Sequence, residues 1–261
     1  MEYSMKILSV GNSFSCNAHT YFPQIAKSTN HGLTLLNDYI GGCSFERHMK
    51  HADAFDKNPN DPEGCPYPFG ESCNLSLRES LKLKKWDVVT IQQASHESFN
   101  AASYHPHADR LVNLIRKYSP QAEIVVHETW AYRDDHTFWG RQDMSTDIMY
   151  RGLSKAYRAF CAENHFRMIP CGDAFQKARL SKTWGRPTPP NPKTGAPAIR
   201  SLHAEDCFHA NANGNYLLGC VWFEFFFNQD ARTIPFVPDE ISADDAKILR
   251  TIAHATVSKK A

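Results

Sequence analysis

Five apolar runs recur along the chain, and each is followed by a stretch with helical character. The runs cover 5–10, 33–40, 86–91, 122–129 and 167–170. Continuous apolar runs, as opposed to alternating ones, predict strands buried on both faces, the pattern of parallel sheets. Parallel neighbours need a long crossover, and a helix is the usual one. The sequence predicts helices over 18–29, 45–55, 75–84, 106–118, 143–164, 174–180, 213–227 and 243–257. The expected fold class is α/β, with a parallel five-stranded sheet covered by helices. Ligands of such sheets bind beyond the carboxyl ends of the strands. Ser13, Gly42, Gln92 and Gln93 stand at those ends.

No linker-like stretch divides the 261 residues, and 42% of them are hydrophobic. That predicts one domain over 1–261, with loop insertions near 56–74, 133–145 and 181–204. Charges nearly cancel, 29 Lys+Arg against 28 Asp+Glu, so no basic surface for nucleic acid is expected. The most apolar run, Leu217 to Phe227, is too short to span a bilayer and contains Glu224, so no membrane partner is expected. The first strand begins by Met5, which leaves no room for a signal peptide. None of the eight cysteines forms a CxxC pair. Buried free thiols and a cytoplasmic location are therefore expected, with a secreted form if a leader was trimmed. Cys65 and Cys73 share a loop and are the pair that an oxidising compartment would bridge.

The first strand runs into Gly11-Asn12-Ser13. A serine after a strand is commonly a helix cap or turn residue. As a nucleophile it needs a base, because a free hydroxyl is weak. Asp206-Cys207-Phe208-His209 offers a carboxylate and an imidazole three residues apart, which a turn can direct to one side. The expected catalytic residues are Ser13, Asp206 and His209. An oxyanion also needs preorganised donors. Gly42 permits close backbone approach, Gln92 and Gln93 carry amide donors, and the Ser13 backbone N–H is a further candidate.

These segments resemble the SGNH (GDSL-type) hydrolases. Gly11-Asn12-Ser13 resembles that family's first block. Ile40-Gly41-Gly42-Cys43-Ser44 resembles the second, with Gly42 matching the oxyanion-hole glycine. Asp206-x-x-His209 resembles the fifth, with its acid and base. The third block usually reads Gly-x-Asn-Asp, and Ile91-Gln92-Gln93-Ala94-Ser95 stands in its place. Together with Glu128-Thr129-Trp130-Ala131-Tyr132 and the segment 206–216, this wording looks like a bacterial branch of the superfamily. The resemblance implies a three-layer α/β/α flavodoxin-like fold and esterase or lipase-like chemistry.

On this reading Ser13 attacks a small acyl ester, acetyl on a carbohydrate being the favoured class, and an acyl-enzyme is hydrolysed by water. No cofactor and no metal is required. Asn12, Trp130 and Tyr132 are expected to touch substrate, with Trp139, Trp184, Arg133, His136 and Arg186 beside them. Two rivals differ in class. A metal hydrolase would use His105, His107, His127, His136, His203, Asp206 and His209 as its pool of ligands. A non-catalytic glycan-binding relative would keep the fold with a degraded third block.

Overall fold

The computed structural model describes residues 4–71, 73–138, 144–181, 183–195 and 198–258. Trp139 and Asp143, the latter the expected start of a helix, lie outside the described residues. In chain order the elements are β1 (Ser4–Gly11), α1 (Ser13–His19), α2 (Phe22–Ser28), β2 (Gly32–Tyr39), α3 (Phe45–Lys57), β3 (Tyr67–Phe69), β4 (Cys73–Leu75), α4 (Leu77–Leu83), β5 (Val88–Ile91), α5 (His107–Tyr118), β6 (Glu123–His127), α6 (Thr146–Asn164), β7 (Arg167–Ile169), α7 (Cys171–Leu180), α8 (Ala212–Phe227) and α9 (Ala243–Val257).

Five strands form one parallel sheet in the order β2-β1-β5-β6-β7. Counted among themselves this is 2-1-3-4-5, the flavodoxin-like order. The direction of winding reverses between β1 and β5, so their carboxyl ends mark the switch point where such sheets bind ligands. The central strands are buried on both faces: Ile7, Leu8, Val89, Ile91, Val125 and Val126 have essentially no exposure. One polar pair is tolerated inside because it is satisfied, Thr90 Oγ1 donating to Ser9 Oγ at 2.7 Å.

The chain divides into two compact units. The first comprises Met1–Cys16, His31–His127 and Lys155–Met168 and holds most of the sheet. Within it α5 buries Ala108, Leu111, Val112 and Ile115, the i, i+3, i+4, i+7 stripe of an amphipathic helix. The second comprises Asn17–Asn30, Glu128–Ser154 and Ile169–Ala261 and centres on α8. That helix is buried from Tyr216 to Glu224, because α2, α7 and α9 all pack against it. Trp222 meets Phe22 edge to face at 5.5 Å, a favourable aromatic geometry.

Two local expectations change. The helix predicted over 18–29 is two helices, and α1 starts earlier, at Ser13. Pro23 stands in the first turn of α2, where a missing N–H costs nothing, so the helix restarts there. The stretch 56–74, read as loop, contains the β3–β4 antiparallel ladder, with Tyr67 opposite Leu75 and Phe69 opposite Cys73. Strands of three residues, one carrying Pro68, give no periodic signal. All eight cysteines are free thiols, Cys65 and Cys73 included. Among the described residues no helix is long and apolar enough to cross a membrane.

Gly214, in the first turn of α8, lets the 202–210 segment approach the helix. A Cβ there would stand 2.2 Å from the Leu202 carbonyl oxygen and 2.9 Å from Ala210 Cβ. Gly214→Ala is expected to destabilise the protein by about 1–3 kcal/mol through overpacking, read as a lower urea midpoint with unchanged slope.

Candidate functional site

Asn12 ends β1 and caps α1. Its Oδ1 accepts from Phe14 N at 3.0 Å, satisfying an orphan donor of the first turn. The cap role thus belongs to Asn12, and Ser13 becomes the first helical residue, half-buried. The same Oδ1 accepts from Gln92 Nε2 at 2.7 Å, and Asn12 Nδ2 donates to the Cys43 carbonyl at 3.0 Å. One side chain, 1% exposed, therefore joins the carboxyl ends of β1 and β5 to the turn after β2. Asn12, expected to touch substrate, has both ends of its amide bonded to the scaffold.

That turn carries Gly42. Cys43 N donates to Ile40 O at 3.1 Å, and Gly42 has φ +60, the positive third-residue φ of a type II turn. Nothing lies within 4 Å of a Cβ placed there, so conformation alone selects glycine. Arg47 Nη1 donates to Gly41 O at 3.1 Å and pins the turn to α3. At Gly11 the reason is space: a Cβ would stand 2.6 Å from Ser15 Oγ and 3.3 Å from Gln92 Cδ.

The two glutamines differ in what they do. Gln93 Oε1 accepts from Phe45 N and Ala94 N, while its Nε2 donates to Ser103 O at 2.9 Å and Oγ at 3.0 Å. The amide of Gln93 is turned toward Ser103 and that of Gln92 toward Asn12, so of the two it is Gln92 that lies beside the turn carrying Ser13.

In the second unit, Asp206 and His209 form the expected pair. Asp206 Oδ2 lies 2.7 Å from His209 Nδ1, and Oδ1 accepts from the backbone N–H of Phe208 and His209 at 3.1 and 3.0 Å. Partial burial opposes ionisation of Asp206, but these hydrogen bonds outweigh it and hold the carboxyl below its usual range. With Nδ1 engaged by a carboxylate, base chemistry falls to Nε2. The loop closes on itself through Ala204 N to His209 O at 2.8 Å, and Cys207 takes the left-handed conformation, φ +69. Asn17, on α1, brackets the next residue: Nδ2 donates to Ala210 O at 3.3 Å and Oδ1 accepts from Ala210 N at 3.4 Å.

The expected substrate aromatics are structural. Trp130 is fully buried, donates Nε1–H to Phe208 O at 2.9 Å and stacks on Phe175 at 4.7 Å. Tyr132 is 5% exposed and packs against His136, Phe138 and Phe208. Both hold loops and neither presents an open ring face. Trp184 lines a pocket with Ala131, Tyr150, Phe175 and His203. Arg133, expected to face a sugar, is bonded to the loop carrying Asp206 and His209.

Two of the histidines considered as metal ligands have other partners. His105 pairs with Asp109 and Glu163, and half-buried His203 donates Nε2–H to Ala131 O at 3.0 Å. The group of potential ligands that does gather among the described residues is Glu224, Asp230 and His254. Arg232 already neutralises Asp230 from Nε and Nη2, and Glu224 accepts from Ala231 N. That set reads as an ion-pair network between helices.

Asn12→Ala is expected to leave Phe14 N and Gln92 Nε2 buried without an acceptor, costing about 1–3 kcal/mol for each group left unsatisfied, measured by chemical denaturation. A second expectation concerns acid. Burial lowers the pKa of His203 from 6.5 to about 4, and those of His19 and His48 to about 3. Between those values and 6.5 the unfolded chain binds protons that the folded one does not, so stability rises with pH across that window. His203→Gln should flatten the pH–stability curve between about 4 and 6.5 relative to wild type.

The family model described as "Domain of unknown function (DUF4886)" matches residues 6–256. No curated protein matches the sequence. Among solved structures, a DUF4886 family protein from Bacteroides uniformis ATCC 8492 is similar, with TM-score 0.81 and 25% identity over 99% of this chain and 96% of that one. A protein from Slackia heliotrinireducens described as "a putative SGNH hydrolase" aligns with TM-score 0.59 and 20% identity, covering 85% of this chain and 98% of that one. The acetyl xylan esterase AlAXEase aligns with TM-score 0.55 and 15% identity, covering 85% and 100%. The chain belongs to the DUF4886 family, and its fold is that of the SGNH hydrolases.

Proposed function

We propose that the protein is a serine esterase that removes a small acyl group, acetyl, from a carbohydrate alcohol. The observation that carries this reading is the 2.7 Å contact between Asp206 Oδ2 and His209 Nδ1, which sets the imidazole tautomer for base catalysis at Nε2. A further feature supports it: Asn12 performs the capping, which leaves Ser13 as a helix-start residue whose N–H has no intrahelical acceptor.

In the proposed reaction Ser13 Oγ bonds to the ester carbonyl carbon while His209 Nε2 takes the hydroxyl proton. The negative charge that develops on the carbonyl oxygen is met by the N–H of Ser13, the N–H of Gly42 and the amide of Gln92. Collapse of this intermediate breaks the bond to the alkoxy oxygen, and the imidazolium returns its proton to the departing alcohol. Water, deprotonated by His209, then attacks the acyl-enzyme and regenerates Ser13. Asp206 stays ionised throughout and orients the ring. The acetyl–carbohydrate choice is supported by the fold shared with an acetyl xylan esterase.

The test is labelling with a fluorophosphonate together with turnover of acetylated sugars. The modified peptide should contain Ser13, and Ser13→Ala should lower kcat on the order of 10⁶-fold while the fold is retained. A wild-type protein that binds glycans but neither reacts with the probe nor releases acetate would sink the esterase reading.

A further inference from the structure

Arg133 follows Tyr132 in the segment beyond β6, and its hydrogen bonds are shared between Asp135 and the segment 201–207 that leads into Asp206 and His209. Its backbone N donates to Cys207 O at 2.8 Å. Nη1 reaches Ala204 O at 3.3 Å and Ser201 Oγ at 3.1 Å. Nη2 lies 2.9 Å from Cys207 Sγ. The guanidinium is fixed from behind by Asp135, with Nε to Oδ1 at 2.6 Å and Nη2 to Oδ2 at 3.2 Å, and the side chain is only 11% exposed.

The loop needs such a clamp. Cys207 has φ +69, a conformation an L-residue with a side chain pays roughly 1–2 kcal/mol to adopt. Cys207 stands between the acid and the aromatic residue before the base, so relaxation of its backbone would turn the 206–209 peptide and separate the two side chains. Holding both the Cys207 carbonyl and its sulfur stops that relaxation. The Trp130 indole on Phe208 O fixes the next residue in the same way. An arginine suits the task because its planar fork binds several acceptors in fixed directions, which a lysine ammonium does not reproduce.

We propose that Arg133, locked by Asp135, is a positioning residue that holds the 204–207 backbone so that Asp206 and His209 stay in register. The proposal rests on the esterase reading above for its catalytic consequence, while its structural content is independent of it. Arg133 does not touch the reacting atoms. It acts through the loop.

The experiment compares full-length wild type, Arg133→Ala and Arg133→Lys by proton NMR of ¹⁵N-histidine-labelled protein and by acetyl ester kinetics, with circular dichroism as the folding control. In wild type the His209 Nδ1 proton, shared with a carboxylate, should give a low-field resonance, identified by its absence in His209→Gln. Arg133→Ala should lose or broaden that resonance and lower kcat by about 10- to 100-fold, the scale of a small misplacement of reacting groups. KM should change less than about twofold, because substrate contacts are untouched. Added guanidinium should restore part of the activity. Arg133→Lys, with charge but no fork, should fall between the two.

A folded Arg133→Ala protein with the wild-type resonance and kcat would overturn the proposal. If the alanine variant does not fold, the lysine variant decides, and wild-type values of both readouts in it would overturn the proposal equally. Should wild type prove unreactive toward esters and fluorophosphonate, the esterase reading fails, and the resonance alone still tests the clamp.

Discussion

The turn after β1 depends on one buried amide. Asn12 is asked to cap a helix, close a turn and orient a neighbouring amide with the two ends of a single side chain. A carboxamide suits this position because it accepts and donates at once and carries no charge into a site with almost no exposure. An aspartate would accept from Phe14 N and Gln92 but would present a carboxylate oxygen to the Cys43 carbonyl. A serine would be too short to reach both partners. The identity of residue 12 is thus dictated by its partners, and Ser13 inherits its position from that arrangement.

The loop carrying Asp206 and His209 is built by a different physical strategy. Neutral amides and backbone groups organise the turn after β1, whereas a guanidinium with its own counter-ion organises the loop at 203–210. Charge-assisted hydrogen bonds are stronger than neutral ones, which suits a loop that must hold a strained residue without the support of a strand or helix. The ionised pair keeps part of its hydration, so its desolvation cost stays moderate. Gly214 contributes from behind by letting the loop's entry strand lie against α8.

The sheet was legible in the sequence because buried parallel strands are continuous apolar runs, and 5–10, 33–40 and 122–129 all became strands within a residue or two at most ends. Asp206 and His209 were legible because their pairing is local, three residues apart. The amides were not. Asn12 meets Cys43 31 residues away and Gln92 80 residues away, and Gln93 meets Phe45 48 residues away. Which way a glutamine at a strand end turns is decided by those distant partners. The packing of the aromatic residues was hidden for a related reason: Trp130 and Arg133 in a polar loop look like a sugar platform, and only their distant partners at 204–208 show that they brace the loop. The short β3–β4 ladder stayed hidden because its strands are below the length at which alternation becomes visible.

Two glycines of this region are required for opposite reasons. At Gly11 a neighbour crowds the position, so a smaller partner would relax the requirement. At Gly42 the surroundings are already open, and the backbone angle alone demands glycine. No trimming of adjacent side chains would therefore admit a larger residue at Gly42, because the bend of the chain itself refuses it.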